Sequence, residues 1–93
     1  MDKIVVVYTM EGCPFCEDMK NQLNEDEIPF FVMDIHENET EYNLFKEITE
    51  NEFVPAFMII ETDTMTTKLF APDRDYQEIS EGVNIIKKEL NLL

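Results

Sequence analysis

Positive charge is scarce in this chain. Its 93 residues carry seven Lys and Arg against 21 Asp and Glu, a formal net charge of −14. Such a surface repels nucleic acid and anionic membranes, so neither is expected as a partner. It steers instead toward basic patches on proteins, although the same charge also serves simply to keep a small protein in solution. Long apolar runs are missing as well, and none approaches the ~20 residues of a membrane span. Histidine occurs once, as His36, and cysteine twice. A structural zinc site takes about four ligands, so no metal centre is expected. His36 follows an apolar run among acidic neighbours and reads as a solvated side chain. The start, Met1-Asp2-Lys3, leads straight into the apolar run 4–8. That is unlike a signal peptide and predicts a cytoplasmic protein. With no repeats, linkers or low-complexity tracts, residues 1–93 are expected to form one domain.

The two cysteines that are present stand together, in Cys13-Pro14-Phe15-Cys16. They follow an apolar strand and open a helix, which is the setting of a redox-active pair near a β-α-β unit. Gly12 lets the chain turn out of the strand, Cys13 falls at the N-cap, and Pro14 suits the first helical position. Free N–H groups and the positive end of the helix dipole then favour thiolate at Cys13, the attacking species. Glu11, Glu17 and Asp18 oppose that effect and Lys20 offsets them only in part. Cys16, Met19 and Leu23 recur at the spacing of one helix face. Cys16 should therefore point inward while Cys13 stays at the rim, with Cys13 attacking a substrate disulfide and Cys16 resolving the mixed disulfide. A purely structural bridge is disfavoured, because a loop closed over two residues removes little chain entropy.

Periodicity orders the rest of the chain as β-α-β-α-β-β-α. Residues 4–8 are apolar throughout, as in a strand buried on both faces. The cysteine helix runs from residue 14 to about 24, and residues 28–33 form a second strand entered at Pro29, giving a parallel pair. Asn38 with Glu41 marks a helix start, and Tyr42, Phe45 and Ile48 one face of a helix ending near Asn51. Residues 56–60 and 66–70 make a hairpin across a polar turn, closed by Pro72. Asp75 is read as the cap of a last helix bearing Ile79, Val83, Ile86 and Leu90. Gly82 inside that helix costs roughly 1 kcal/mol relative to alanine.

This order, with Cys-Pro-Phe-Cys after the first strand and Val54-Pro55 before the third, resembles the glutaredoxin family over almost the whole chain. The resemblance implies an α/β protein of thioredoxin-like fold, with a four-stranded mixed sheet in the order 2-1-3-4 flanked by three helices. It implies a monomeric thiol–disulfide oxidoreductase with no tightly bound cofactor and glutathione as co-substrate. Its targets would be glutathione mixed disulfides or disulfide-bearing proteins, ribonucleotide reductase among them. Val54-Pro55 would be the family's cis-proline step, pairing with substrate as an added strand does. From the residues alone it could be an ordinary trans strand start, but taken with Cys13 and Cys16 the cis form is favoured. Phe15, between the cysteines, would line the substrate groove or shield Cys16.

Several family features are absent. Thr9-Met10-Glu11-Gly12 and Glu50-Asn51-Glu52-Phe53 stand where the family usually has basic residues, and Ala71-Pro72 replaces a Gly-Gly pair. Glutathione, with two carboxylates, should bind less well for these changes. Arg74, the single arginine, is placed at the start of the last helix, where it could clamp the γ-glutamyl carboxylate while Asp73 or Asp75 meets the ammonium. The alternative is a surface arginine paired with Asp73 or Asp75. Two further readings follow: re-reduction by a thioredoxin reductase, and an iron–sulfur cluster bridged by Cys13 and glutathione from two chains.

Overall fold

The computed structural model describes residues 3–92, so Met1 and Asp2 of the chain start lie outside it. Seven elements follow one another: β1 (Lys3–Thr9), α1 (Pro14–Glu25), β2 (Phe31–Asp34), α2 (Glu39–Thr49), β3 (Ala56–Glu61), β4 (Thr66–Phe70) and α3 (Ile79–Glu89). The sheet order is β2-β1-β3-β4. β1 and β2 are parallel, with Val7 opposite Val32, and β1, β3 and β4 pair antiparallel, with Val7 opposite Phe57 and Phe57 opposite Phe70. The element order is the one read from the sequence, and the sheet order is the one implied by the resemblance.

β1 is central and apolar on both faces, and its alternation feeds two cores. Val5 and Val7 join Phe57 and Ile59 of β3 against α1 and α3, which contribute Met19, Leu23, Val83 and Ile86. On the opposite face Tyr8 and Ala56 meet Tyr42 and Phe45 of α2. Gly82 is explained by the first of these packings. A Cβ there would sit 2.9 Å from Met19 Cε and 3.1 Å from the Tyr76 ring, so a side chain at this point of α3 would have to displace the end of Met19 and press on Tyr76.

Four sequence expectations are corrected. The second strand begins at Phe31 rather than at residue 28. Ile28 N–H is spent on Leu23 O and Glu27 adopts φ 57°, which together close α1 in a Schellman motif, and Pro29 has no N–H to offer a ladder. On α2 the buried face is Tyr42, Phe45 and Thr49, while Ile48 is 68% exposed. Thr49 fits there because its hydroxyl donates to Phe45 O within the helix. α3 starts at Ile79 with Glu78 as N-cap, where Glu81 Oε1 accepts from the Glu78 N–H at 2.7 Å. Asp75 is therefore not the helix cap. Its carboxylate accepts from Ala71 N–H at 2.8 Å and closes the preceding turn. Arg74 consequently lies in that turn and not at the start of α3.

Candidate active site

The β1–α1 junction builds the site. Gly12 takes φ +74°, a left-handed conformation that disfavours any side chain, and turns the chain from the strand into the helix. Cys13 is the N-cap of α1, Pro14 its first residue, and the Cys13 sulfur accepts from Cys16 N–H at 3.1 Å. That bond places a helix N-terminal donor on Cys13 Sγ, which favours negative charge there once the pair is reduced. The two cysteines are joined as a disulfide with Cα atoms 5.2 Å apart. Cys16 is fully buried on the face shared with Met19 and Leu23. Cys13 is 7% exposed and so sits deeper than the expected rim position, yet it is the more accessible of the two. It is covered by the loop before β3, whose Val54 carbonyl oxygen lies 4.0 Å from Cys13 Sγ. Lys20 does not reach the pair but bonds Glu17 at 2.6 Å.

That loop carries a cis Val54–Pro55 bond. Pro55 is fully buried and its carbonyl accepts from the Tyr76 hydroxyl. Tyr76 is buried and stacks on Phe57, and its phenol is pushed well above the ordinary tyrosine range by burial first and by the Asp75 charge second. It therefore stays a neutral donor to Pro55. Asn51 ties the same loop to its neighbour, donating to Pro72 O at 2.6 Å and accepting from Phe53 N–H at 2.9 Å. Among the described residues Val54 N–H has no backbone partner, so the residue before the cis bond presents a free donor.

Beside the disulfide runs a cleft of about 350 Å³ between α1, the Phe53–Pro55 loop and the segment leading into α3. Phe15 and Phe53, 66% and 57% exposed, line it with Asp18, Asp73, Glu78 and Ile79. Of the residues singled out in the sequence, Phe15, Val54 and Pro55 are brought together here beside Cys13 and Cys16. Arg74 and Asp75 do not line the cleft. Arg74 Nη1 is held by Asp75 Oδ2 at 3.2 Å and by Leu69 O at 3.3 Å, which is the surface ion pair weighed against a clamp. Asp18, Tyr76 and Glu78 were missed. Asp18 was legible, since Phe15, Asp18 and Gln22 share one helix stripe about 100° round from Cys16, Met19 and Leu23. No cluster of three or more His, Cys, Asp or Glu among the described residues is arranged to hold a metal.

A buried cysteine partnered with a more accessible one at a helix N-terminus, facing a cis-proline loop on this sheet, defines a thioredoxin-fold thiol–disulfide oxidoreductase. Known proteins narrow the class. The family model for glutaredoxin matches residues 5–62, and the chain belongs to the glutaredoxin family. A 35-residue stretch is 46% identical to N-acetyl-S-hydroxy-L-cysteine reductase of Bacillus subtilis (strain 168), spanning 38% of each chain. In structure the protein is similar to the thioredoxin-like protein BC3987, with a TM-score of 0.56 at 20% identity over 96% of this chain and 99% of that one. It is also similar to the oxidised C-terminal domain of DsbD from Neisseria meningitidis, with a TM-score of 0.57 at 14% identity over 94% of this chain and 79% of that one. These two likenesses concern the fold.

Proposed function

We propose that this protein is a dithiol reductant of protein disulfides and glutathione mixed disulfides, with Cys13 as nucleophile and Cys16 as resolving thiol. The observation that carries the reading is the asymmetric pair at the α1 N-terminus, with Cys13 Sγ beside the free backbone edge at Val54. In the reduced protein the Cys13 thiolate attacks one sulfur of the substrate disulfide. The substrate S–S bond breaks, a mixed disulfide forms, and the leaving thiolate takes up a proton. Cys16, deprotonated, then attacks Cys13 Sγ, restoring the Cys13–Cys16 bond and releasing the second substrate thiol. Two electrons pass from the pair to the substrate. Val54 supplies backbone pairing to an extended substrate segment, and Phe15 and Pro55 line its path.

Family membership supports glutathione as the source of electrons, two molecules being oxidised per turnover. A specific observation favours a second source: no Lys or Arg lines the cleft, so no cationic side chain there meets the two glutathione carboxylates. A thioredoxin reductase would supply the pair in that case. The reductase matched over 35 residues adds its own named substrate type, an S-hydroxy-cysteine, as a further test substrate.

The test runs turnover of a glutathione mixed disulfide with glutathione, glutathione reductase and NADPH, beside a second arm with thioredoxin reductase and a protein disulfide. Cys13→Ser is expected to abolish turnover in both arms. Cys16→Ser should retain the glutathione mixed disulfide reaction, which needs one thiol, and lose the protein disulfide reaction, which needs two. Turnover confined to the reductase arm would assign the electron source to that enzyme. Full activity of Cys13→Ser would remove the mechanism.

A further inference from the structure

The cations of this protein sit away from the cleft, and most of them are grouped at the opposite end of the sheet. Lys3 pairs in register with Glu61 at the foot of β1, and Lys68 bonds Glu89 at 2.9 Å at the end of α3. Lys87 bonds Asp26 at 2.7 Å just past α1, and Lys88 is in the last turn of α3. Of the other three, Lys20 and Arg74 are each held by a carboxylate, and Lys46 lies over the Tyr42 ring in a depression on the far side of Phe53. By contrast Asp18, Asp73 and Glu78 converge on the cleft beside the disulfide and make no ion pair among the described residues. Between them stand two exposed aromatic rings, Phe15 and Phe53, and the free Val54 N–H.

We propose that this cleft selects disulfides carried on extended, basic polypeptide segments, with Arg or Lys within two or three residues of the reacting cysteine. The proposal rests on the oxidoreductase reading above and names its substrate class. Three independent features of the cleft fit one occupant. Carboxylates on both walls that no cation neutralises attract a cationic side chain and repel an anionic one. Exposed aromatic faces accept its alkyl stem and, for arginine, the guanidinium plane. The Val54 N–H fixes an extended backbone alongside, which brings the substrate sulfur to Cys13. Glutathione, with two carboxylates against one ammonium, is net anionic and meets the charge requirement less well than a basic peptide.

The test uses the reduced full-length protein in single-turnover stopped flow, so that no electron source enters. Two otherwise identical peptides present a cysteine in mixed disulfide with a chromogenic nitrothiobenzoate, flanked by arginines in one and by glutamines in the other. Attack at the peptide sulfur releases the coloured thiolate, and Cys16 then frees the peptide. The second-order rate constant should favour the arginine peptide by about tenfold at low salt and approach equality near 1 M salt, where the screening length is roughly 3 Å. Asp18→Asn with Asp73→Asn should cut that ratio severalfold. Asparagine keeps the Asp18 contact to Gln22 and tolerates the left-handed φ of 69° at residue 73. Glu61→Gln with Asp63→Asn, at the far turn, should leave the ratio unchanged. Equal rates for the two peptides would overturn the proposal and leave the oxidoreductase reading standing. A preference that survives in the cleft variant, or falls equally in the far-turn variant, would assign it to net charge and overturn the cleft as its origin. Failure of both peptides to react would overturn the oxidoreductase reading itself.

Discussion

Tyr76 lies on one face of the sheet and Tyr42, beside Tyr8, on the other, and Tyr76 and Tyr42 behave differently. On the α1/α3 face Tyr76 is packed against Phe57 and Gly82, and its hydroxyl donates to Pro55 O. On the α2 face Tyr42 is equally buried, leans on Tyr8 and Phe45, and its hydroxyl has no partner among the described residues. The first face is broad, built on residues of all three of its layers, and it fixes the cis-proline loop. The second is small and has Val54, Met33 and Leu69 packed at its margin. The site lies where these faces meet: Cys16 shares a helix face with Met19 and Leu23, Pro55 is bonded by Tyr76, and Val54 packs at the margin of the second cluster.

Core truncations should separate the faces most. Phe57→Ala is expected to cost toward the upper end of about 3–5 kcal/mol in urea unfolding of the oxidised protein, because tightly packed neighbours cannot close the cavity. Phe45→Ala should fall at the lower end of that range, and equal losses would erase the distinction. A smaller effect, of opposite sign on the two faces, is expected from removing a hydroxyl. Tyr76→Phe leaves Pro55 O unpaired and should destabilise by about 1–3 kcal/mol, whereas Tyr42→Phe relieves an unsatisfied group and should be neutral or stabilising by up to about 1 kcal/mol. Destabilisation by both would mean that Tyr42 has a partner in solution.

The smallest effect near neutrality concerns pH. All three tyrosines are pushed up from the ordinary value of 10.0: Tyr8 by burial and then Glu41, Tyr42 by burial, Glu52 and Tyr8, and Tyr76 by burial and then Asp75. Above pH ~10 the unfolded chain loses phenolic protons that the folded one keeps, so stability falls as pH rises. This contribution is complete below pH ~10 and is lost from there toward the folded values. Melting temperatures of the oxidised protein, which has no free thiol to titrate, should drop across that range. The drop should be less steep in Tyr76→Phe, and an identical slope would show that Tyr76 ionises freely.

Much of this was legible in the sequence, for local reasons. A run of β-branched residues, a glycine, and Cys-Pro at a helix start are each decided within a few residues of chain, and so the cysteine pair and the element order could be read. The misreadings share a different cause. Ile48 and Thr49 compete for the same buried stripe, and which one turns inward depends on how α2 lies on Tyr8 and Ala56. Asp75 and Glu78 both carry capping side chains, and the choice went to Glu78 because Asp75 is engaged by Ala71. Arg74 followed Asp75 out of the cleft.

By itself the sequence determined the chemistry and its local frame: a vicinal dithiol, the helix that starts on it, the strand that delivers it, and a preponderance of carboxylates. What stands opposite the sulfur depends on how distant segments pack. Val54 reaches Cys13 across 41 residues of chain, and Tyr76 reaches Pro55 across 21. Asp18, Asp73 and Glu78 meet on one cleft from three segments, while four lysines gather at the other end. Those distances are set by sheet order and by the packing of α3 through Gly82, which are global properties of the fold. Charge composition is additive along a chain, but a charge pattern in space is not.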